Sequence, residues 1–180
     1  MSKKSYTFSI IILLIMIISI IKTTEINTNT ISTERLSVIT SKPIELPIAK
    51  IIIQKIGLDG DIYNINSKEN DVDKNITILK DSILPNNENS IIFLAAHSGY
   101  GKIAYFNDLD KLNVNDVIIF QYNNNNYYYM IDKIFEEEKD GDIEINKTSD
   151  KQLVLTTCSR NNKNKQLIIN SNLIKKEKTT

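Results

Sequence analysis

Short segments of strand-forming residues, separated by polar turns, fill the chain from about residue 47 to residue 175. Their Ile, Val, Phe and Tyr side chains favour β-strands, and Gly and Asn mark the breaks between them. Only the segment 103–112 has a helical pattern, with Phe106, Leu109 and Leu112 three residues apart. The predicted strands are 49–56, 61–65, 90–96, 117–122, 127–135, 152–157 and 167–174. Many short strands with almost no helix predict an all-β barrel or sandwich.

Two groups of residues predict turns between neighbouring strands. Gly57 and Gly60 are expected in the turn after the first strand, since glycine adopts turn conformations freely. The four asparagines at 123–126 separate the segment 117–122 from the segment 127–135. These two segments are therefore predicted to form a hairpin.

The first part of the chain has the pattern of a membrane anchor. An uncharged run at 5–21 lies between Lys3, Lys4 and Lys22, and no small-residue cleavage site follows it. The positive charges before the run predict a cytoplasmic segment at 1–4 and an extracellular location for the rest of the chain. The later segments are predicted as a linker at 22–46, a catalytic domain at 47–175 and a polar tail at 176–180. The expected location is therefore the cell membrane, crossed once.

Charge and cysteine content exclude some classes of function. Lysine and arginine together number 22, as do aspartate and glutamate, so the basic footprint of a nucleic-acid-binding domain is missing. One Cys and one His can form neither an internal disulfide nor a Cys/His zinc cluster. We expect no nucleic-acid partner and no cofactor.

The single His and the single Cys each follow an apolar strand directly. His97 comes after SIIFLAA and Cys158 after QLVLTT, so each is the first reactive residue beyond a buried strand end. Neighbouring strand ends on a barrel rim would bring imidazole and thiol together, and a positive neighbour favours the nucleophilic thiolate. The alternative is a small buried cysteine and a structural histidine, and the pair alone does not decide between them.

The residues around this pair resemble the sortase family. VLTTCSR is similar to the TLxTC-like signature that ends in the nucleophile, with Val154 in place of the first Thr. IIFLAAHSGYGKIAYFNDLDKLNVND is similar to the segment in which a strand ends in the family His, although Ala96 stands where Gly is frequent. KIIIQKIGLDGDIYNI is similar to the opening hairpin. The ordered set covers about residues 48 to 175.

The resemblance implies an eight-stranded β-barrel and a cysteine transpeptidase of a Gram-positive bacterium. Sortases cut secreted proteins at an LPxTG-like sorting signal through a thioacyl-enzyme, and an amine such as a peptidoglycan precursor or a pilin lysine takes the product. Cys158 would be the nucleophile and His97 the general acid for the leaving amine. The expected partners are therefore proteins with a C-terminal sorting signal, an amine acceptor and, through the N-terminal helix, the membrane.

One position departs from the family pattern. The family Arg at the start of the last strand corresponds here to Gln166, beside Lys165, and an uncharged amide is a weaker oxyanion partner. Arg160, two residues after Cys158, is the only arginine of the predicted domain. We predict that Arg160 takes this role from the adjacent loop, and a solvated loop arginine is the alternative.

Two acidic clusters bear on the question of metals. They are Asp71 with Asp73, and Glu136, Glu137 and Glu138 with Asp140 and Asp142. We interpret both as solvated acidic loops. A calcium site is the alternative, since hard cations are held by several convergent oxygens.

Two features that this sequence lacks narrow the choice of sortase subclass. The linker lacks the Asp-Pro-aromatic lid motif of pilin-building sortases, and 137–151 is too short for the helix that haem-pathway (class B) sortases insert. A general or class D/E-like sortase remains. NlpC-type peptidases place Cys before His, and L,D-transpeptidases place His close before a GC motif, so both fit poorly. The main alternative is a membrane-tethered, non-catalytic β-domain that binds a cell-envelope partner.

Overall fold

Eight β-strands form almost all of the regular structure. The computed structural model describes residues 44–139 and 149–179. In these residues the strands are β1 Ala49–Ile53, β2 Leu58–Ile62, β3 Thr77–Ile78, β4 Ser90–Ala95, β5 Val117–Tyr122, β6 Asn125–Glu138, β7 Lys151–Cys158 and β8 Lys165–Lys178. The helical elements of the described part are two 3₁₀ turns, Gln54–Ile56 and Leu109–Lys111.

The eight strands form one sheet in the order β2-β1-β5-β6-β8-β7-β4-β3. Its two end strands approach each other at a parallel bridge between Ile62 and Ile76, so the sheet curls into a nearly closed barrel. The interior is filled by apolar side chains, among which Tyr127, Tyr129 and Phe106 are fully buried. The predicted all-β, eight-stranded barrel is confirmed.

The parallel pair of β4 and β7 positions the site. The two strands run in register from Ser90 opposite Lys151 to Ala95 opposite Thr156. Parallel strands are normally covered on both faces, and every residue of β7 from 152 to 157 is buried. Because both strands point the same way, their carboxyl ends finish at the same end of the barrel.

The first hairpin differs from the prediction in its turn. β1 ends at Ile53 instead of residue 56, and a 3₁₀ turn follows that Gly57 closes with a φ of +64°. Gly57 is therefore a turn residue as predicted, but Gly60 lies inside β2, which begins before the predicted 61–65. A Cβ at Gly60 would collide with the side chain of Ile76. Glycine permits this close packing, which explains its place inside a strand.

The predicted hairpin of β5 and β6 is confirmed. Its turn is formed by Asn123 and Asn124, whose φ values of 48° and 55° match the two left-handed residues of a type I′ turn. β6 continues to Glu138, past its predicted end at 135, because it pairs along its length with β8. β3 has two residues, which is too short for any sequence pattern to predict.

The predicted helix at 103–112 is wrong. Within it, Leu109–Lys111 is a 3₁₀ turn, and the amide of Leu112 donates to the carbonyl of Leu109. Phe106, Leu109 and Leu112 are nevertheless buried, as their spacing suggested. A three-residue repeat matches the period of a 3₁₀ turn better than that of an α-helix. The spacing therefore predicted the buried residues correctly but the type of element wrongly.

A membrane anchor was predicted at the start of the chain and a polar tail at its end. The predicted anchor at 5–21 and the linker as far as residue 43 lie outside the described residues. Between residues 44 and 139 and between 149 and 179, the structure contains no helix long and apolar enough to cross a membrane. At the other end, β8 runs to Lys178, so residues 176–178 of the predicted tail belong to the strand.

Candidate active site

The ends of β4 and β7 bring His97 and Cys158 to one end of the barrel. The last ladder pair of the two strands joins Ala95 to Thr156, and each reactive residue lies two positions beyond it. Since the strands are parallel neighbours, the two residues occupy equivalent positions at the ends of adjacent strands. The expectation that two strand ends lie side by side agrees with this topology.

Hydrogen bonds continue beyond the ladder and hold the two strand ends together. The hydroxyl of Thr157 donates to the carbonyl of Ala96 at 2.7 Å, and Thr157 is buried. The hydroxyl of Ser98 donates to the carbonyl of Cys158 at 2.8 Å. The backbone on both sides of the reactive residues is therefore tied across the two strands.

Cys158 is exposed at the last position of a buried strand. Its side chain lines a cavity of about 200 Å³, together with Phe106 and Asn107 after β4, Glu136 of β6 and the β7–β8 loop. An exposed thiol at the wall of a cavity is accessible to a substrate. This placement disfavours the alternative of a small buried cysteine.

His97 is oriented by a carboxylate from a distant loop. Its Nε2 lies 2.9 Å from Oδ1 of Asp73, which belongs to the loop between β2 and β3. An ionised carboxylate only accepts hydrogen bonds, so Nε2 carries the proton and Nδ1 is the acceptor in the neutral ring. Among the hydrogen bonds of the described residues, none joins His97 to Cys158 directly.

Arg160 lines the same cavity as Cys158, from the loop between β7 and β8. One terminal nitrogen of its guanidinium donates to Asp110 at 3.2 Å and the other to Asn107 at 2.6 Å. Arg160 therefore links the loop after the cysteine strand to the segment that follows His97. Arg160 is an exposed loop residue with two side-chain partners.

Gln166 is the direct ladder partner of Cys158 in β8. Its side-chain oxygen accepts a hydrogen bond from the hydroxyl of Thr156 at 3.2 Å. The residue at the family Arg position is thus next to Cys158 in the sheet but brings no charge.

Lys139 supplies a cation that sequence reasoning missed. Its Nζ lies 3.1 Å from Sγ of Cys158 and 3.0 Å from the carbonyl of Lys163. Lys139 is 19 positions from Cys158 in the chain, and Asp73 is 24 positions from His97. No periodicity or motif connects residues at such distances, so these two site residues carry no signal in the sequence.

In the part of the chain that the structure describes, acidic side chains of both clusters contact other protein side chains. Asp73 binds His97, and Asp71 lies 3.9 Å from Lys74. Glu136 accepts a hydrogen bond from Ser159 at 2.6 Å. Asp140 and Asp142 lie outside the described residues. Within residues 44–139 and 149–179, no group of three or more His, Cys, Asp or Glu side chains converges on a common point.

Comparisons with known proteins agree with this architecture. The family model of the sortase domain matches residues 51–174 of this chain. A comparison with curated proteins finds no match.

Among solved structures, sortase A from Corynebacterium diphtheriae (lid mutant) is similar over 76% of this chain and 74% of its own, with a TM-score of 0.62 and 18% identity. Sortase C from Streptococcus pneumoniae is similar over 71% and 68%, with a TM-score of 0.60 and 22% identity. A sortase D5 transpeptidase from Clostridium perfringens is similar over 72% and 79%, with a TM-score of 0.57 and 25% identity. The first two similarities concern the fold alone.

Proposed function

This chain belongs to the sortase family, whose members are cysteine transpeptidases, and on that premise we propose that it cleaves an LPxTG-like sorting signal and transfers the product to an amine. One observation carries the proposal: an exposed Cys158 ends a buried strand at a cavity, and its parallel neighbour delivers His97 to the same end of the barrel. The substrate class comes from the family and not from the cavity.

The first half of the reaction forms a thioacyl-enzyme. The thiolate of Cys158 attacks the carbonyl carbon of the substrate Thr, a C–S bond forms, and the π electrons of the carbonyl move to its oxygen. When this oxyanion collapses, the C–N bond breaks, and His97, which holds the former thiol proton of Cys158 on Nδ1, donates that proton to the leaving amine. Asp73 contributes by accepting the hydrogen bond from Nε2, so the imidazolium gives up its Nδ1 proton at the reaction centre and returns to the neutral ring with its proton on Nε2.

The second half returns the enzyme to its starting state. An acceptor amine attacks the thioester carbonyl, its proton passes to His97, and the C–S bond breaks with the electron pair returning to sulfur. The product carries a new amide bond, and the thiolate of Cys158 is regenerated. Transfer to water instead of an amine would give hydrolysis by the same steps.

Arg160 is proposed as the donor for the oxyanion. It lines the cavity that contains Cys158, and its contacts with Asp110 and Asn107 use two of the five N–H groups of a guanidinium. The remaining N–H groups can donate hydrogen bonds to the oxygen on which negative charge develops. The two contacts hold the guanidinium in place, and a preorganised donor stabilises a transition state better than a mobile one.

The biological setting is proposed from the sequence. The uncharged run at 5–21 and the charges before it support a membrane anchor with the catalytic domain outside the cell. The donors are then secreted proteins with a C-terminal sorting signal, and the acceptor is a cell-wall precursor or a pilin lysine. The missing lid motif and the short 137–151 segment support a general or class D/E-like subclass.

A sorting peptide tests the reaction and the nucleophile together. The full chain in detergent is mixed with a fluorogenic LPxTG-type peptide, with and without a small amine, and the products and the protein mass are measured. We expect a thioacyl adduct on Cys158, faster turnover with the amine, and no adduct or cleavage with Cys158→Ala. Unchanged cleavage by Cys158→Ala would overturn the assignment. Peptide binding without any adduct on the wild-type protein would instead support the non-catalytic binding domain.

A further inference from the structure

Lys139 is held at the nucleophile by contacts at both ends of the residue. It follows the last residue of β6, and its backbone amide donates to the carbonyl of Asn164 at 2.9 Å. Its Nζ donates to the carbonyl of Lys163 at 3.0 Å and approaches Sγ of Cys158 at 3.1 Å. Backbone and side chain are thus both attached to the β7–β8 loop, and the ammonium is positioned at the sulfur.

The other charged groups near the thiol are engaged elsewhere. Arg160 is paired with Asp110 at 3.2 Å, and Glu136 accepts a hydrogen bond from Ser159 at 2.6 Å. The imidazole of His97, on the neighbouring strand end, is bonded to Asp73. Of the charged side chains in the described part of the site, the ammonium of Lys139 is the one hydrogen-bonded to the sulfur.

The sheet explains why this cation comes from the end of β6. Gln166 pairs with Cys158 on one side and with Glu137 on the other, because β8 lies between β7 and β6. Lys139 is two residues beyond Glu137 and directly follows β6, the strand next to the uncharged Gln166. A charge missing from β8 beside the cysteine is therefore present one strand further away, on a side chain long enough to reach the sulfur.

We propose that Lys139 is a catalytic residue that holds Cys158 as a thiolate. An ammonium at hydrogen-bond distance favours the charged form of a thiol, and the thiolate is the form that attacks a carbonyl. In the proposed transpeptidation, Lys139 stabilises the sulfur before attack and again when the C–S bond breaks and the electron pair returns. The proposal deepens the proposed function at the same site, but the state of the thiol can be measured without any peptide substrate.

The rate of alkylation of Cys158 by iodoacetamide, measured against pH, tests the ammonium–thiolate contact. The chain has one cysteine, so the full-length protein reports on this thiol alone. Replacing Lys139 by Met should move the midpoint of the profile to higher pH by a few tenths of a unit, since it removes an opposite charge beside the thiol but the pair is exposed to solvent. Lys139→Arg should keep the wild-type midpoint, because it keeps a cation. Lys102→Met, at an exposed lysine of the loop after His97, is the matched control and should change nothing.

Two further measurements make the test independent of how well one variant folds. In the wild-type protein, raising the salt from low concentration to about 1 M should move the midpoint upward, because salt screens an exposed ion pair. With a sorting peptide, Lys139→Met should lose about twofold to fivefold in kcat/KM at neutral pH and recover most of it at high pH, as its thiol ionises.

The outcomes separate this proposal from the proposed function. A Lys139→Met protein with wild-type thermal stability and a superimposable alkylation profile would overturn the role of Lys139, whether or not the peptide is cleaved. A salt-independent wild-type midpoint would also overturn it. A shifted profile in a protein that cleaves no sorting peptide would support the ammonium–thiolate contact and count against the substrate assignment instead.

Discussion

The strands beneath the site and the loops around it contribute through different physics. The strand floor, β4 and β7, consists of buried residues such as Leu94 and Leu155, both at 0% exposure, joined by a parallel ladder. The loop rim consists of three charged residues, Asp73, Arg160 and Lys139, each held by a few polar contacts. Both parts are needed to explain the geometry, since the floor carries His97 and Cys158 while the rim supplies the charges beside them.

The contacts of the floor and those of the rim differ in their strength and in their sensitivity to salt. Burial of apolar side chains and backbone pairing are cooperative, so the floor determines where the two reactive residues are. Exposed ion pairs are individually weak and are screened by salt. Substitutions in the rim should therefore alter the reaction rate and leave stability nearly unchanged. Substitutions in the floor should lower stability and leave the rate nearly unchanged, unless they remove His97 or Cys158.

Among the changes that keep the Cys158 thiol, removal of the His97 imidazole at the end of the floor should have the largest effect on rate. His97→Ala should lower kcat by at least about 10²–10⁴-fold, because general acid–base help of that size is lost at the leaving amine. The melting temperature should change little, since the side chain is partly exposed. Steady-state cleavage of a sorting peptide and thermal unfolding measure both. A loss of less than tenfold would show that another group protonates the amine.

Removal of the Arg160 guanidinium from the rim should have the second largest effect on the reaction rate. Arg160→Ala should lower kcat by about 10²–10³-fold, the usual cost of one oxyanion donor. Arg160→Lys should already be poor, because an ammonium lacks the planar fork. Thermal stability should fall little, as the pair with Asp110 is exposed.

Gln166→Arg is the matched variant for this prediction. It should add little activity if Arg160 serves the oxyanion. A nearly silent Arg160→Ala together with a faster Gln166→Arg would show the opposite, namely that the start of β8 governs the site and that the natural chain has a weakened oxyanion partner.

A cavity in the floor should reduce stability rather than chemistry. Leu155→Ala should lower the free energy of unfolding by about 2–5 kcal/mol, because the side chain is fully buried. Ile174→Ala, at a half-exposed position of β8, is the control and should cost about 0.5 kcal/mol or less. Denaturant unfolding gives both values. Equal losses for the two variants would contradict the distinction between a packed floor and an open surface.

Removal of the Asp73 carboxylate from the rim should have the smallest effect on the reaction rate. Asp73→Ala should lower kcat by about twofold to fivefold, since exposed ion pairs are worth about 0.2–1 kcal/mol, and Asp73→Asn should recover part of this loss. The control Asp81→Asn changes another exposed carboxylate and should be silent. In the His97→Ala background the effect of Asp73→Ala should disappear. An undiminished effect in that background would show that Asp73 acts on the fold and not through the imidazole.

The sequence predicted most of the barrel because its signals are local. Alternating and continuous apolar runs located seven of the eight strands, and the asparagine run located the β5–β6 turn. The errors occurred where a tertiary contact decides a local feature. Gly60 lies in a strand because Ile76 packs against it, and the segment 103–112 buries Phe106, Leu109 and Leu112 through turns.

The site divides in the same way. The sequence by itself predicted His97 and Cys158 as candidate catalytic residues, because each follows an apolar strand and lies in a segment that resembles a family motif, and it singled out Arg160 as the only arginine of the predicted domain. Only the tertiary structure decided that Asp73 meets His97 and that Lys139 meets Cys158. A buried strand is encoded by the residues within it, whereas a contact between exposed charges on different loops depends on where the folded sheet brings those loops.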